Sequence, residues 1–176
     1  MVKDLQGIKN RLNMSGCFGV DRDGLSGGLA LFWTDEVSIS LLSFSKHHID
    51  VIVDNDWRYT GIYGWPEASS KKNTCKLLLD LASKSNLPWM ILGDFNITLH
   101  TSAKWGGLLR DSEDMKLFRD SISDCGLADI SFTGYPFTWK NKSVAGGPGD
   151  FIQARLDRGL ACKHWARKFP KAVILN

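Results

Sequence analysis

The sequence predicts a mixed α/β fold in which helices pack against β-sheets. Short apolar runs rich in β-branched and aromatic residues follow one another between residues 17 and 64, separated by turn-forming clusters. Two later segments carry apolar residues at helical spacing, and a continuous apolar run follows the first of them. Strands, then a helix, then a buried strand imply layers of helix and sheet.

Length and charge limit the number of domains and the kinds of partner to expect. The chain has 176 residues, of which 43% are hydrophobic, so we expect residues 1–176 to form a single domain around one core. The net charge of +3 is small, but basic residues concentrate near the end of the chain. Such a segment can bind the phosphates of DNA, and it can equally be the solvated face of a helix. Its members are Arg155, Arg158, Lys163, Arg167, Lys168 and Lys171.

The cysteines and the N-terminal residues indicate the compartment. The four cysteines are scattered, without a CxxC pair or a histidine at metal-ligand spacing, which favours neither a zinc site nor a disulfide framework. The first residues lack the apolar core of a signal peptide, and no apolar run approaches the roughly 18 residues of a membrane span. We therefore expect an intracellular protein with reduced thiols, and the nucleus is one compartment open to it.

The first third of the chain predicts a short helix followed by strands. Leu5, Ile8 and Leu12 lie at helical spacing, which predicts a helix near residues 3–14. Five β-rich runs follow and predict a meander of antiparallel strands. These runs span residues 17–20, 28–33, 37–44, 48–53 and 58–64.

Two amphipathic helices are predicted after these strands. Ser69 or Ser70 can cap a helix over residues 71–85, whose apolar face would hold Cys75, Leu78, Leu79 and Ala82. Asp111 can cap another over residues 112–125, with Met115, Phe118, Ile122 and Cys125 on one face and Gly126 as a left-handed stop. Residues 134–139 and 151–160 then predict a β-hairpin around a Gly-rich turn at residues 143–150, and a short basic helix is expected near residues 161–169.

The stretch WMILGDFN, residues 89–96, carries the first functional hypothesis. Its apolar part lacks polar alternation and should be a strand buried on both faces, which places Asp94 and Asn96 at the edge of a sheet. A carboxylate there can activate water or bind a metal, and an Asn two residues on would point to the same side of an extended chain. The alternative is an Asx-type turn that merely follows a core strand.

Five blocks occur in an order that resembles a known superfamily: GGLALFW at 27–33, TGIYGWP at 60–66, ILGDFN at 91–96, GYPFTWKN at 134–141 and QARLDRGLA at 153–161. Together they resemble the endonuclease/exonuclease/phosphatase superfamily. More narrowly, they are similar to the apurinic-type endonuclease domain of plant LINE-type, non-LTR retrotransposons. The resemblance implies a four-layer α/β/β/α sandwich and the Mg²⁺-dependent hydrolysis of DNA phosphodiester bonds.

The resemblance also implies roles for four residues. Asp94 would orient or deprotonate the attacking water, Asn96 would contact the scissile phosphate, and the Tyr63 hydroxyl would donate to a phosphate oxygen. Asp157, in the Arg-Leu-Asp block, would orient a catalytic histidine. The alternatives are a core tyrosine at a strand end for Tyr63 and a surface ion pair with a neighbouring arginine for Asp157.

Two parts of the family pattern have no match here. The Mg²⁺-binding glutamate and the histidine of a Ser-Asp-His strand are missing, since none of the chain's glutamates and histidines lies in such a context. We therefore expect a domain that is incomplete at both ends, with weak or no hydrolysis, and Mg²⁺ binding stays open. The alternatives are a non-catalytic nucleic-acid-binding remnant and a phosphatase acting on a phosphorylated small molecule.

Overall fold

The structure is a computed structural model that describes residues 5–21, 28–106, 112–141 and 151–176. In those ranges the helices are α1 (Leu5–Arg11), α2 (Lys72–Ala82), α3 (Glu113–Asp124) and α4 (Lys163–Lys168). The strands are β1 (Gly16–Val20), β2 (Leu29–Trp33), β3 (Ile39–Ser45), β4 (His48–Val53), β5 (Trp57–Tyr63), β6 (Trp89–Asp94), β7 (Lys104–Trp105), β8 (Leu127–Asp129), β9 (Phe132–Thr133), β10 (Trp139–Lys140), β11 (Gln153–Ala154), β12 (Asp157–Cys162) and β13 (Ile174–Leu175).

A six-stranded sheet in the order β3-β4-β5-β6-β12-β8 organises the fold. Strands β5 and β6 run parallel, while β3, β4 and β5, and likewise β6, β12 and β8, pair antiparallel. Helix α2 connects the parallel pair, as a crossover must. The predicted mixed α/β fold is confirmed, although β1 and β2 form a separate two-stranded sheet, so the predicted meander divides between two sheets.

The two faces of the central sheet are covered differently. Helices α2 and α3 cover one face, where residues of the sheet and of both helices form the largest core cluster. On the other face, β2 lies against β4 and β5, and Trp165 of α4 packs on Met90 and Ala161. Beside β2, that second face opens into a cavity of about 190 Å³, lined in part by Tyr59 and Leu92.

Helix α2 differs from the sequence prediction in its N-cap and in its buried face. It begins at Lys72 after a short 3₁₀ turn at Ala68–Ser70, and no side chain caps it, so the predicted serine cap is wrong. Leu79 is 42% exposed, whereas Leu81 is fully buried. The buried stripe is rotated because it starts at Thr74, whose hydroxyl accepts a hydrogen bond from the Trp65 N–H inside the fold.

The other predicted helices agree with the structure. In α3, Met115, Phe118 and Ile122 are buried, and Gly126 has a φ of 63°. The Ser112 hydroxyl caps α3 by accepting from the Met115 N–H, while Asp111 lies outside the described residues. Strands β10 and β11 form only a short part of the predicted hairpin, because residues 157–160 of its second strand belong to β12 of the central sheet. Its Gly-rich turn lies outside the described residues. Among the described residues, no helix is long and apolar enough to cross a membrane, and all four cysteines are free.

A buried ion pair ties the central sheet to α2. Arg58 donates from Nε and Nη2 to the two carboxylate oxygens of Asp50, at 2.8 and 2.9 Å, and both side chains have no exposed surface. Arg58 Nη1 also donates to the Leu81 carbonyl near the end of α2. Thr60 donates to Asp50, and the Trp89 indole donates to Thr60. One network therefore joins β4, β5, β6 and α2.

We predict that Asp50→Ala or Arg58→Ala lowers the free energy of unfolding by about 3–5 kcal/mol, because either change leaves a buried charge without its partner. Urea unfolding followed by circular dichroism measures the loss. The control is Lys168→Ala, which removes the half-exposed pair with Asp56 and should cost at most about 1 kcal/mol. Equal, small losses in all three variants would contradict the importance given to the network.

Candidate functional site

Three of the four predicted site residues lie side by side at one end of the central sheet. Asp94, the last residue of β6, is the register partner of Tyr63 on β5 and of Asp157 on β12. Directly opposed residues project to the same face of a sheet. By the alternation along β6, this is the face that carries Met90 and Leu92, away from α2 and α3. We call Tyr63, Asp94 and Asp157 the strand-end row.

Asn96 joins this row by a different route from the one predicted. Strand β6 ends at Asp94, and Asn96 has a left-handed φ of 54°, a region that Asn tolerates better than most residues. The Asn96 N–H donates to Asp94 Oδ1 at 2.8 Å, and its side-chain amide donates to the Gly64 carbonyl at 2.9 Å. The prediction that the chain is extended from Asp94 to Asn96 is therefore wrong. The Asx turn that was the alternative is present, and it places Asn96.

Two glycines allow the strands to meet so closely here. Gly93 has a φ of 149°, and a Cβ there would lie 2.0 Å from the Ile62 carbonyl oxygen. A Cβ on Gly64 would lie 2.3 Å from the carbonyl oxygen of Phe95. The Gly64 N–H donates to the Asp94 carbonyl at 2.7 Å. The close approach of the backbone thus explains why glycine occupies positions 64 and 93.

The electrostatics of the row are dominated by Asp94. Burial raises the pKa of the Asp94 carboxyl above its ordinary value, the Asn96 N–H lowers it, neighbouring Asp157 raises it and Lys71 lowers it, with burial the largest effect. Asp157 is exposed. A carboxylate with a raised pKa is a better proton acceptor near neutral pH, so the arrangement suits the activation of water.

A cavity of about 500 Å³ adjoins Asn96. Lys71 and Lys104 supply positive charge to its lining, and Met115 and Leu156 supply apolar surface. Trp139 also lines it and is 45% exposed. Neither lysine was predicted as a site residue, because no motif in the sequence includes them.

The predicted basic segment divides into two groups. Arg155 and Arg158 are only 6% and 2% exposed, and both donate to the carboxylate of Asp129. Arg158 on β12 and Arg155 just before it both bind β8 through Asp129, so their assignment to a DNA-binding surface is wrong. The members that remain exposed are Lys163, Arg167, Lys168 and Lys171. Helix α4 carries the first three of them and begins after Cys162. Cys162 is at the opposite end of β12 from Asp157, about 16 Å away along the strand.

No histidine contacts Asp157, and all four histidines of the chain lie in the described ranges. His47 donates to the Tyr63 carbonyl, His48 bonds to Ser43 and Ser45, and His100 and His164 are exposed. The family role of Asp157, to orient a histidine, therefore has no partner within this sequence.

The resemblance implies Mg²⁺, and the residues fit such an ion in part. Among the described residues, no group of three or more His, Cys, Asp or Glu side chains is placed to hold a metal. Asp94 and Asp157 do supply two neighbouring carboxylates, whose mutual repulsion contributes to the raised pKa of Asp94. Mg²⁺ often uses one or two carboxylates and takes its other oxygens from water and substrate phosphate. The pair fits an ion held in that way.

Comparison with known proteins gives the fold. No protein-family model matches the chain, and no curated protein matches it. Among solved structures, the endonuclease domain of TRAS1, a telomere-specific non-LTR retrotransposon, is 15% identical with a TM-score of 0.57, over 85% of this chain and 67% of that one.

Two further structures are similar. The 3′ phosphatase NExo from Neisseria, bound to a product DNA hairpin, is 14% identical with a TM-score of 0.63, over 94% of this chain and 73% of that one. An endonuclease/exonuclease/phosphatase family protein from Bacteroides thetaiotaomicron is 16% identical with a TM-score of 0.51, over 92% of this chain and 66% of that one. The resemblance inferred from the five blocks is thus confirmed at the level of the fold, and this chain has the endonuclease/exonuclease/phosphatase fold.

Proposed function

We propose that the chain binds the phosphodiester backbone of DNA at the strand-end row and Asn96, as part of a nuclease-type phosphodiesterase domain, and that its own hydrolytic activity is weak. The observation that supports this most is the register that brings Tyr63, Asp94 and Asp157 together, with Asn96 fixed beside them. Similarity to a retrotransposon endonuclease domain and to a DNA-bound phosphatase adds support.

Each residue has a chemical role in this proposal. The Tyr63 hydroxyl and the Asn96 amide donate to phosphate oxygens, while Asp94 accepts a proton from the attacking water. The new bond joins the water oxygen to phosphorus, and the bond from phosphorus to the leaving oxygen breaks. Mg²⁺ held through the Asp157 carboxylate, with water and phosphate oxygens as its other ligands, would supply positive charge against the charge that develops on the phosphate.

Weak hydrolysis follows from the partners that the row lacks. Glu36, Glu67 and Glu113 lie in a turn, before a 3₁₀ turn and at the start of α3, and all three are exposed. None forms a metal-binding cluster with the row in the described part of the chain. With two carboxylates and no histidine to protonate the leaving oxygen, the site has fewer groups to stabilise the transition state.

The first prediction from this site concerns stability. Asp94→Asn should raise the free energy of unfolding at neutral pH. The folded chain raises the pKa of this carboxyl, mainly by burial, so ionisation disfavours the folded state once the pH exceeds the unfolded pKa of about 3.9. Asn removes this cost and can still accept from the Asn96 N–H. The gain should vanish in acid.

Urea unfolding at pH 7 and at low pH measures this difference. The matched control is Asp120→Asn on the exposed side of α3, which should change stability little. A loss of stability at pH 7 in Asp94→Asn would mean that the Asp94 carboxylate holds the fold together, and it would contradict a functional reason for its burial.

Nicking of supercoiled plasmid tests the activity itself. Purified protein with Mg²⁺ should nick slowly, EDTA should abolish the nicking, and Asp94→Ala should lower the rate by about a hundredfold or more, because a general base contributes at least that much. Rapid nicking by the wild type that is lost in Asp94→Ala would overturn the proposal of weak hydrolysis. Equal nicking by both proteins would remove Asp94 from the site.

DNA binding has two candidate surfaces, since exposed lysines of α4 and its flank offer an alternative to the cavity. We predict that Lys71→Gln with Lys104→Gln reduces the salt dependence of duplex binding by about 1 per lysine in the log–log slope. Lys163→Gln with Lys171→Gln, which removes the same charge, should leave it unchanged. Fluorescence anisotropy across a salt series measures both slopes. The reverse result would favour non-catalytic binding through α4.

A further inference from the structure

His47 lies at the turn between β3 and β4 and holds the backbone of Tyr63 from both sides. The Tyr63 N–H donates to the His47 carbonyl at 2.9 Å, and His47 Nδ1 lies 2.8 Å from the Tyr63 carbonyl oxygen. A carbonyl can only accept, so Nδ1 must carry the hydrogen. In the neutral ring, Nε2 is then unprotonated.

The ring of His47 is enclosed. It stacks on Trp65 with a centroid separation of 3.5 Å and an interplanar angle of 17°. His47 is only 9% exposed, and its Nε2 is buried without a hydrogen-bond partner among the described residues. The Trp65 N–H is in turn fixed by Thr74 of α2. Residues 63–65 are therefore held by His47, which contacts Tyr63 and Trp65, and by α2, which contacts Trp65.

The segment held in this way is the one that connects to the site. Tyr63 belongs to the strand-end row, the Gly64 N–H donates to the Asp94 carbonyl, and the Gly64 carbonyl accepts from the Asn96 amide. A displacement of residues 63–65 would move the Tyr63 hydroxyl and release the Asn96 side chain. His47 contacts neither Asp94 nor Asn96, so any effect on them must pass through this segment.

We propose that His47 is a positioning residue of the site: its neutral imidazole, hydrogen-bonded through Nδ1 to Tyr63 and stacked on Trp65, fixes the segment that places Tyr63 and Asn96. The proposal deepens the proposed function and rests on it for its biological meaning. A second proton would put an N–H at buried Nε2, which has no hydrogen-bond partner in the described part of the chain, and would place a charge in the stack. Protonation should therefore loosen the segment.

The surroundings of His47 set the direction of the pH dependence. Burial lowers the pKa of His47, the hydrogen bond to the Tyr63 carbonyl opposes this, Lys46 lowers it further and Glu67 raises it. His48, the next residue on β4, is itself buried and its pKa is also lowered by burial. Because the folded pKa lies below the ordinary value of about 6.5, the segment should be ordered at neutral pH and loosen as the pH falls through the folded pKa.

Two-dimensional NMR across a pH series tests this without any need for activity. The His47 ring should titrate below the ordinary histidine value of about 6.5, and the Gly64 amide and Asn96 side-chain signals should shift with the His47 midpoint. In His47→Asn, which keeps a donor towards Tyr63 but does not titrate, the shifts at neutral pH should stay and that pH dependence should disappear. In His47→Phe, which keeps a ring but loses the donor, the Gly64 and Asn96 signals should already be displaced at neutral pH.

Two outcomes would overturn the proposal: site signals that ignore the His47 midpoint, or site signals that are unchanged in His47→Phe. Amide signals of Leu78 and Phe118 in the core report whether each variant is folded. Anisotropy binding of a fluorescent DNA duplex, measured in parallel, separates the two proposals. Coupled titration with no DNA binding would preserve the role of His47 in placing these residues and refute the proposed function.

Discussion

The buried pair of Asp50 and Arg58 is the constraint on which the site depends. Its members lie on adjacent strands, and through Leu81, Thr60 and Trp89 the same network reaches α2 and the start of β6. A buried charge pair tolerates little misalignment, because its hydrogen bonds offset the free energy needed to remove both charges from water. The network therefore fixes the register of β5 against its neighbours. The same register brings Tyr63 opposite Asp94 five residues further along β5.

The sequence predicted candidate site residues but not the strand pairing that brings them together. The GDFN block made Asp94 and Asn96 candidates, and the order of five blocks added Tyr63 and Asp157. Strand pairing is not readable from local pattern, so the adjacency of β6 and β12 came only from the structure. Asn96 shows the limit most clearly. Period two predicts an extended chain from Asp94 to Asn96, whereas a left-handed residue in an Asx turn places the Asn96 side chain.

The basic segment shows why charge along a sequence differs from charge on a surface. Arg155 and Arg158 are spaced like a polyanion-binding stretch, yet both side chains turn inward to Asp129, and the Arg155 guanidinium lies over the Phe132 ring at 3.7 Å. Composition cannot show this, because Asp129 is distant in sequence and no motif links it to the arginines. The lysines that line the cavity beside Asn96 come from other parts of the chain, and neither belongs to the predicted basic segment.

The energetics of Asp94 argue for a role beyond the fold. A buried carboxylate is normally compensated by an ion pair, as Asp50 is by Arg58. Asp94 instead accepts one backbone N–H and faces a second carboxylate, and the net effect of its surroundings is to raise its pKa. An arrangement that disfavours ionisation is costly to folding, whereas it makes the Asp94 carboxylate a stronger proton acceptor. That cost, with the hydrogen-bond donors Tyr63 and Asn96 held beside Asp94, supports the proposal that the row binds phosphate.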